Sequence, residues 1–199
     1  LKTNGWELSV GWRDSFELGG KAFSYNVKAM VWDARTWVTE YINPTGALGD
    51  YYEGKELGEI WGYRVEGLFR DQEDIDSHAE QSFLQTLDKV TRPGQVKFAD
   101  LNQDGKIDRG AYTTADPGDL TVIGNETPRY CDGINLGFNW NGIGISTFWQ
   151  GVGKKDWYPR YDSGFFWGQY NRPFGYMLKQ HTGDKVYREE LDNWDTAYW

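Results

Sequence analysis

Apolar and polar side chains alternate with a period of two in four stretches of the chain. Trp6, Leu8, Val10 and Trp12 alternate with Glu7, Ser9, Gly11 and Arg13. Phe23, Tyr25, Val27, Ala29 and Val31 alternate with Ser24, Asn26 and Lys28. Successive side chains of a strand point to opposite faces, so each stretch predicts a β-strand with one apolar and one polar or small face. The connector Asp14–Ala22, which holds Gly19-Gly20, joins the two into a hairpin. Tyr130, Ile134, Leu136, Phe138 and Trp140 share a third apolar face, against Cys131, Gly133, Asn135, Gly137 and Asn139. Asp132 falls on that apolar face near the strand start, where only a membrane interface would tolerate it. Asn141-Gly142 then marks a type I′ turn, whose two central residues both need positive φ. Ile143, Ile145, Thr147 and Trp149 return against Gly144, Ser146, Phe148 and Gln150. A two-residue turn sets Trp140 opposite Ile143, both on the apolar face, so the register is self-consistent.

These strands approach the roughly 9–11 residues that cross a bilayer when tilted. Their connections alternate in length. Those at Asp14–Ala22 and Asn141-Gly142 are short, and those after Trp32 and after Val152 are long. Outer-membrane barrels pair short periplasmic turns with long external loops. The expected division is a barrel hairpin over 1–32, a long extracellular loop over 33–127, a barrel hairpin over 128–152 and an aromatic extracellular loop over 153–199. In the first loop, Gly62–Phe69 predicts a short strand. Asp71–Val90 predicts a helix capped by Asp71, with Ile75, Phe83, Leu84 and Leu87 as its buried stripe. The fold class expected is mainly all-β, an antiparallel transmembrane β-barrel segment whose long loops contain a short helix and an EF-hand-like loop. A soluble β-sandwich shares the alternation, but bulky aromatics near the strand ends and the loop lengths weigh against it.

Composition agrees. Aromatics reach 17%, with 11 Trp and 25 Gly among 199 residues, yet the mean hydropathy is -0.73. Aromatic girdles, Gly-rich strands and a polar lumen give barrels that combination. The net charge of -9, without clustered Lys or Arg, excludes nucleic acid as a partner. Cys131 is the single cysteine, so there is no internal disulfide or thiolate cluster. No apolar run reaches the roughly 20 residues of a membrane helix. Leu1-Lys2-Thr3-Asn4 is not a secretory leader, and the expectation is a leader already removed or a chain that starts in mid-protein. His78 and His181 lie outside any zinc pattern, and no nucleophile elbow or phosphate loop is present. The chain is not expected to be an enzyme.

One loop carries candidate metal chemistry. Asp100-Leu101-Asn102-Gln103-Asp104-Gly105-Lys106-Ile107-Asp108 follows the first part of an EF-hand-type calcium loop. Calcium takes six to eight oxygens. Asp100, Asn102 and Asp104 stand at positions one, three and five, Lys106 offers its carbonyl at seven, and Asp108 stands at nine. Gly105 at six permits the sharp turn, and Ile107 is expected to pack beneath it. Ala111 occupies position twelve, where a bidentate Glu belongs. Asp116 or Asp119 could replace it, and Asp119 is favoured. The competing reading is an Asp/Asn/Gly turn held by its own side chains.

The last segment is dense in rings, among them Trp157, Tyr158, Tyr161, Trp167 and Tyr170. Such rings stack on sugars or grip peptides, or else they build the loop's own core.

Several stretches resemble the SusC/RagA family of TonB-dependent transporters. They are Asn4–Asp14, Gly62–Phe69 with Gln72–Asp76 behind it, Pro93–Asp108, Ile123–Tyr130 and Phe148–Gly153. They occur in the family's order through nearly the whole chain. The resemblance implies a large barrel with an N-terminal plug, energised through TonB and lidded outside the cell by a SusD-like lipoprotein. It implies uptake of oligosaccharides or peptides across a bacterial outer membrane. Four spanning strands cannot close a barrel, since about eight are needed, so the chain is expected to be a fragment of the C-terminal half. The lumen would be lined by Ser24, Asn26, Asn135, Asn139, Ser146 and Gln150, and the aromatic faces would meet lipid. The alternative is a secreted, calcium-stabilised carbohydrate-binding β-domain.

Overall fold

The computed structural model describes residues 1–84 and 89–159. Its elements are β1 (Lys2–Leu18), β2 (Lys21–Trp37), β3 (Glu59–Tyr63), β4 (Val65–Leu68), α1 (Gln72–Asp76), β5 (Val96–Phe98), β6 (Leu120–Asn125), β7 (Arg129–Trp140) and β8 (Ile143–Lys154). A single 3-10 turn covers Ser82–Leu84. The described residues are mainly strand, and every pairing with a resolved register is antiparallel.

The chain divides into two compact units. The first is built on a four-stranded sheet in the order β1-β2-β7-β8. Gly19 and Gly20 (φ 60° and 72°) make the β1–β2 turn, and Asn141 and Gly142 (φ 49° and 83°) make the β7–β8 turn. The first hairpin is therefore longer than the sequence pattern suggests. The expected connector Asp14–Ala22 is a two-residue turn, because two residues at positive φ let the ladder run on to Leu18↔Lys21. The two turns lie side by side, since Phe23 pairs with Trp140 and the Trp140 indole donates to the Leu18 carbonyl at 3.1 Å. The chain between β2 and β7 leaves and re-enters at the opposite end. No closed barrel is present among the described residues.

Register places the predicted apolar residues of the four strands on one face, apart from Tyr130, which no register pair includes. The row Val10–Ala29–Ile134–Trp149 is typical, as is Phe16–Phe23–Trp140–Ile143. The opposite face carries Ser24 beside Asn139, and Asn26 beside Gly137 and Ser146. A Cβ on Gly137 would come within 2.5 Å of the Asn26 amide oxygen, so glycine here makes room for a polar neighbour. Four rings gather near the turns on the apolar face: Phe16–Phe23 at 5.0 Å, Phe23–Phe138 at 6.1 Å, and Tyr25 within 6.4 Å of Phe16.

The second unit holds most of the buried apolar residues among those described. Leu48, Phe69, Ala99 and Ile107 are each 2% exposed or less. β3 pairs with β6, and β4 with β5. The expected single strand Gly62–Phe69 is thus split between two small sheets. The expected helix is far shorter than Asp71–Val90. Asp71 does cap it, its carboxylate accepting from the Asp74 amide at 2.8 Å. α1 stops at Asp76, and Glu80 is drawn into a bridge with the acidic loop: its amide donates to the Gly105 carbonyl and its carbonyl accepts from Ile107. Asp, Ser and His in succession are poor helix formers and do not oppose this. Ile75 and Leu84 are not buried, Phe83 is 52% exposed, and Leu87 lies outside the described residues.

Replacing Gly19 and Gly20 together with valine forces two β-branched residues into positive φ, at roughly 1–2 kcal/mol each. The expected result is a lower denaturant midpoint for refolding of the protein, with Asn141-Gly142 unaffected. An unchanged midpoint would mean the first turn is not type I′.

Candidate functional site

Three features of the chain could carry function: the two-faced sheet, the acidic loop, and the rim where the long connection meets the strands.

The apolar face of the sheet has no second layer among the described residues. Trp6, Leu8, Val10, Trp12, Ile143, Ile145 and Trp149 are all 48–66% exposed. Its edge toward the long loop slants across the strands. The last apolar residue before that edge is Trp6 on β1, Val31 on β2, Ile134 on β7 and Trp149 on β8. Val31 pairs with Leu8, and Ile134 with Ala29, while Trp149 lies level with Ile134. The edge therefore steps two residues from β1 to β2 and two more from β2 to β7. Four residues are about 13 Å along a strand and three interstrand gaps about 14 Å, so the edge crosses the strands at about 45°. Polar residues stand just past it: Asn4, Asp33 and Asp132.

The acidic loop is wired through its own backbone. Asp100 accepts from the Gln103 amide at 2.7 Å and the Gly105 amide at 2.9 Å. Asn102 accepts from Asp104 at 3.0 Å, and Asp104 from Lys106 at 2.8 Å. Gly105 has φ 83°, and Ile107 is buried beneath. Asp119 is 0% exposed and accepts from the Leu101 and Asp108 amides, both at 2.8 Å. The Asp119 amide in turn donates to the Asp108 carbonyl at 2.9 Å. Asp108 and Asp119 thus close the base of an excursion, 109–118, which explains why position twelve reads Ala111. Asp116 stays inside that excursion, accepting from the Ala111 amide. A Cβ on Gly118 would come within 2.3 Å of the Gly110 nitrogen, so glycine is required where the two sides meet. Burial pushes the Tyr63 phenol up, and the Asp108 and Asp119 charges add to it. Among the described residues, no group of three or more His, Cys, Asp or Glu side chains is gathered as a metal site. The loop's acids instead accept amides.

Of the aromatic candidates, Trp157 is 61% and Tyr158 55% exposed. Tyr161, Trp167 and Tyr170 lie outside the described residues.

The rim was not foreseen from the sequence. Asp33 is only 7% exposed and forms a two-pronged ion pair with Arg129, at 2.5 Å on each prong. Arg35 forms another with Glu56. The available signal was Asp33 itself, an acid two residues past Val31 on an apolar face, which calls for a cation. The 96-residue separation of the partners hides which one.

No family model matches the chain. It does resemble a TonB-dependent receptor. It is 26% identical over 202 residues to a TonB-dependent receptor of Formosa agariphila, an alignment covering 81% of this chain. The chain spans about 18% of that relative's length. The match supports a relationship to TonB-dependent receptors.

Two outcomes follow from the loop geometry. Asp119→Ala leaves two part-buried amides without their acceptor, at about 1 kcal/mol each. Amide exchange at Leu101 and Asp108 should rise steeply, and unchanged exchange would rule out the clasp. Lys97 donates to Asp74 at 2.7 Å and holds that carboxyl below its ordinary value of 3.8. A lowered folded-state pKa means stability present above the ordinary value and lost as pH falls through the lowered one. Lys97→Met should therefore weaken this unit at pH 7 and leave it unchanged near pH 2, read by protection of the α1 amides.

Proposed function

We propose that this chain is barrel wall and external loop from a TonB-dependent importer of the outer membrane, of the SusC/RagA type. The single observation that carries this is the apolar face left without a second layer among the described residues, backed by a polar face and crossed by a slanting edge. Strands in outer-membrane barrels tilt by roughly 35–45°, so a belt that stays level in the bilayer must cross them obliquely, as this one does. Both tight turns at one end and the long connection at the other match the periplasmic and external sides of such a wall. The similarity to a TonB-dependent receptor supports the same reading, with transport and not catalysis as the activity.

On this reading TonB acts through a separate N-terminal plug, and a SusD-like lipoprotein covers the external loops. The cargo is an oligosaccharide or peptide. Ser24, Asn26, Asn135, Asn139, Ser146 and Gln150 face a wet lumen. Trp157 and Tyr158, with Tyr161, Trp167 and Tyr170, are the proposed cargo or partner contacts.

Calcium fits the acidic loop as a proposed structural ion. A carboxylate oxygen has two lone pairs, so accepting one amide leaves one for a metal. Asp100, Asn102, Asp104 and the Lys106 carbonyl would hold it, with Asp108 at the ninth position. Asp119, fully buried, serves first as the clasp and is the proposed replacement for the position-twelve ligand. The ion would stiffen the loop and take no part in chemistry. External sites of this kind bind at about 10⁻⁴–10⁻³ M. The parent protein should resist protease within 100–119 in millimolar calcium and lose that resistance in chelator or as Asp104→Ala. Equal cleavage in all three conditions would remove calcium from the account.

The importer reading is tested with an antibody to this segment on fractionated source cells. It predicts an outer-membrane band far larger than 23.0 kDa that shifts on boiling. A soluble band at 23.0 kDa would favour a secreted β-domain instead. Within the importer, Val10→Arg should cost about 2–4 kcal/mol at mid-bilayer, while Ser9→Arg on the other face should fold normally.

A further inference from the structure

β2 changes partner at the rim. It pairs with β7 only as far as Trp32↔Cys131. Beyond that point Tyr130 adopts φ 53°, a left-handed conformation costly for a residue with a bulky side chain. The strands fork there, and the Asp33–Arg129 ion pair spans the fork at its base. The freed edge of β2 is not left open. Residues 54–57 fill it: the Val38 amide donates to Lys55, the Gly54 amide to Val38, and the Leu57 amide to Thr36, all at 2.8–2.9 Å. The far side of this short strap is engaged as well. The Leu57 carbonyl accepts from the Asn125 side-chain amide at 3.1 Å and the Thr127 hydroxyl at 2.9 Å, and the Gly58 carbonyl accepts from the Glu126 amide at 2.7 Å.

We propose that residues 54–58 are a latch, a surrogate strand that plugs the β2–β7 fork and opens locally without opening the wall. The Arg35–Glu56 pair is its catch. Three properties support this. The strap holds the end of β2 and Val38 just beyond it by three backbone bonds, where the β2–β7 ladder runs ten residue pairs. It belongs to no strand of the sheet. The Arg35–Glu56 ion pair ties it to β2 through an Arg that is 44% exposed. Few bonds to the neighbouring strand set a low local opening energy. Opening would free the carbonyls of Leu57 and Gly58 and release residues 125–127, where the long connection re-enters the wall. The latch thus rests on the wall reading above and adds a device to it.

The test is amide hydrogen exchange on the full-length parent protein, comparing wild type, Arg35→Gln, Glu56→Gln and the swap Arg35→Glu/Glu56→Arg. A partly exposed pair is worth at most about a fivefold change in an opening equilibrium. Each single variant should speed exchange at Val38, Gly54 and Leu57 by about that factor. The swap should restore it, and the amides of Val27 and Leu136 should stay slow throughout. No change in the single variants would overturn the catch. Equal acceleration at Val27 and Leu136 would overturn local opening, because strap and wall would then unfold together. A parent protein that does not shift on boiling would remove the wall reading, and the latch with it.

Discussion

Everything in this chain depends on what covers one face of a four-stranded sheet. In water, burying apolar surface is worth roughly 25 cal/mol per Å², and a sheet with Trp, Leu, Val, Ile and Phe on one side cannot leave them wet. Soluble proteins answer with a second sheet or a helix layer. Among the described residues this chain offers neither. Its core lies elsewhere, around Leu48, Phe69, Ala99 and Ile107. On the proposed reading lipid covers this face without a second layer, provided every backbone group of the sheet is paired. That proviso would account for the long ladders and two-residue turns. It also accounts for the strap at the rim, where β2 and β7 part and their freed groups need other partners.

Much of the wall was legible in the sequence because strand physics is local. A period of two fixes which residues share a face, and Asn141-Gly142 fixes the register across a turn. Gly19-Gly20 carried the same information but sat between Asp14 and Ala22, whose mixed polarity obscured how far the ladder runs. The acidic loop was legible for a similar reason: the Asp100, Asn102, Asp104 and Gly105 spacing encodes one turn.

What escaped the sequence depends on distant contacts. The helix over Asp71–Val90 looked continuous because nothing nearby announces that Gly105 and Ile107 will pull Glu80 away from it. Gly62–Phe69 looked like one strand because the partners that split it, β5 and β6, lie far along the chain. The rim ion pairs join residues that no local pattern connects. Asp119 is the intermediate case. It was picked as a ligand for its charge and position, and the fold uses it first to clasp two amides, which is what an acid buried without a cation must do.

The central claim is that lipid covers the face bearing Val10. The most direct measurement places an environment-sensitive label on a cysteine at position 10, and separately at position 9, in the intact parent protein reconstituted in vesicles with brominated lipid. The account predicts strong quenching at position 10 and little at position 9. Equal, weak quenching at both would mean that protein covers this face, and the wall would have to be given up.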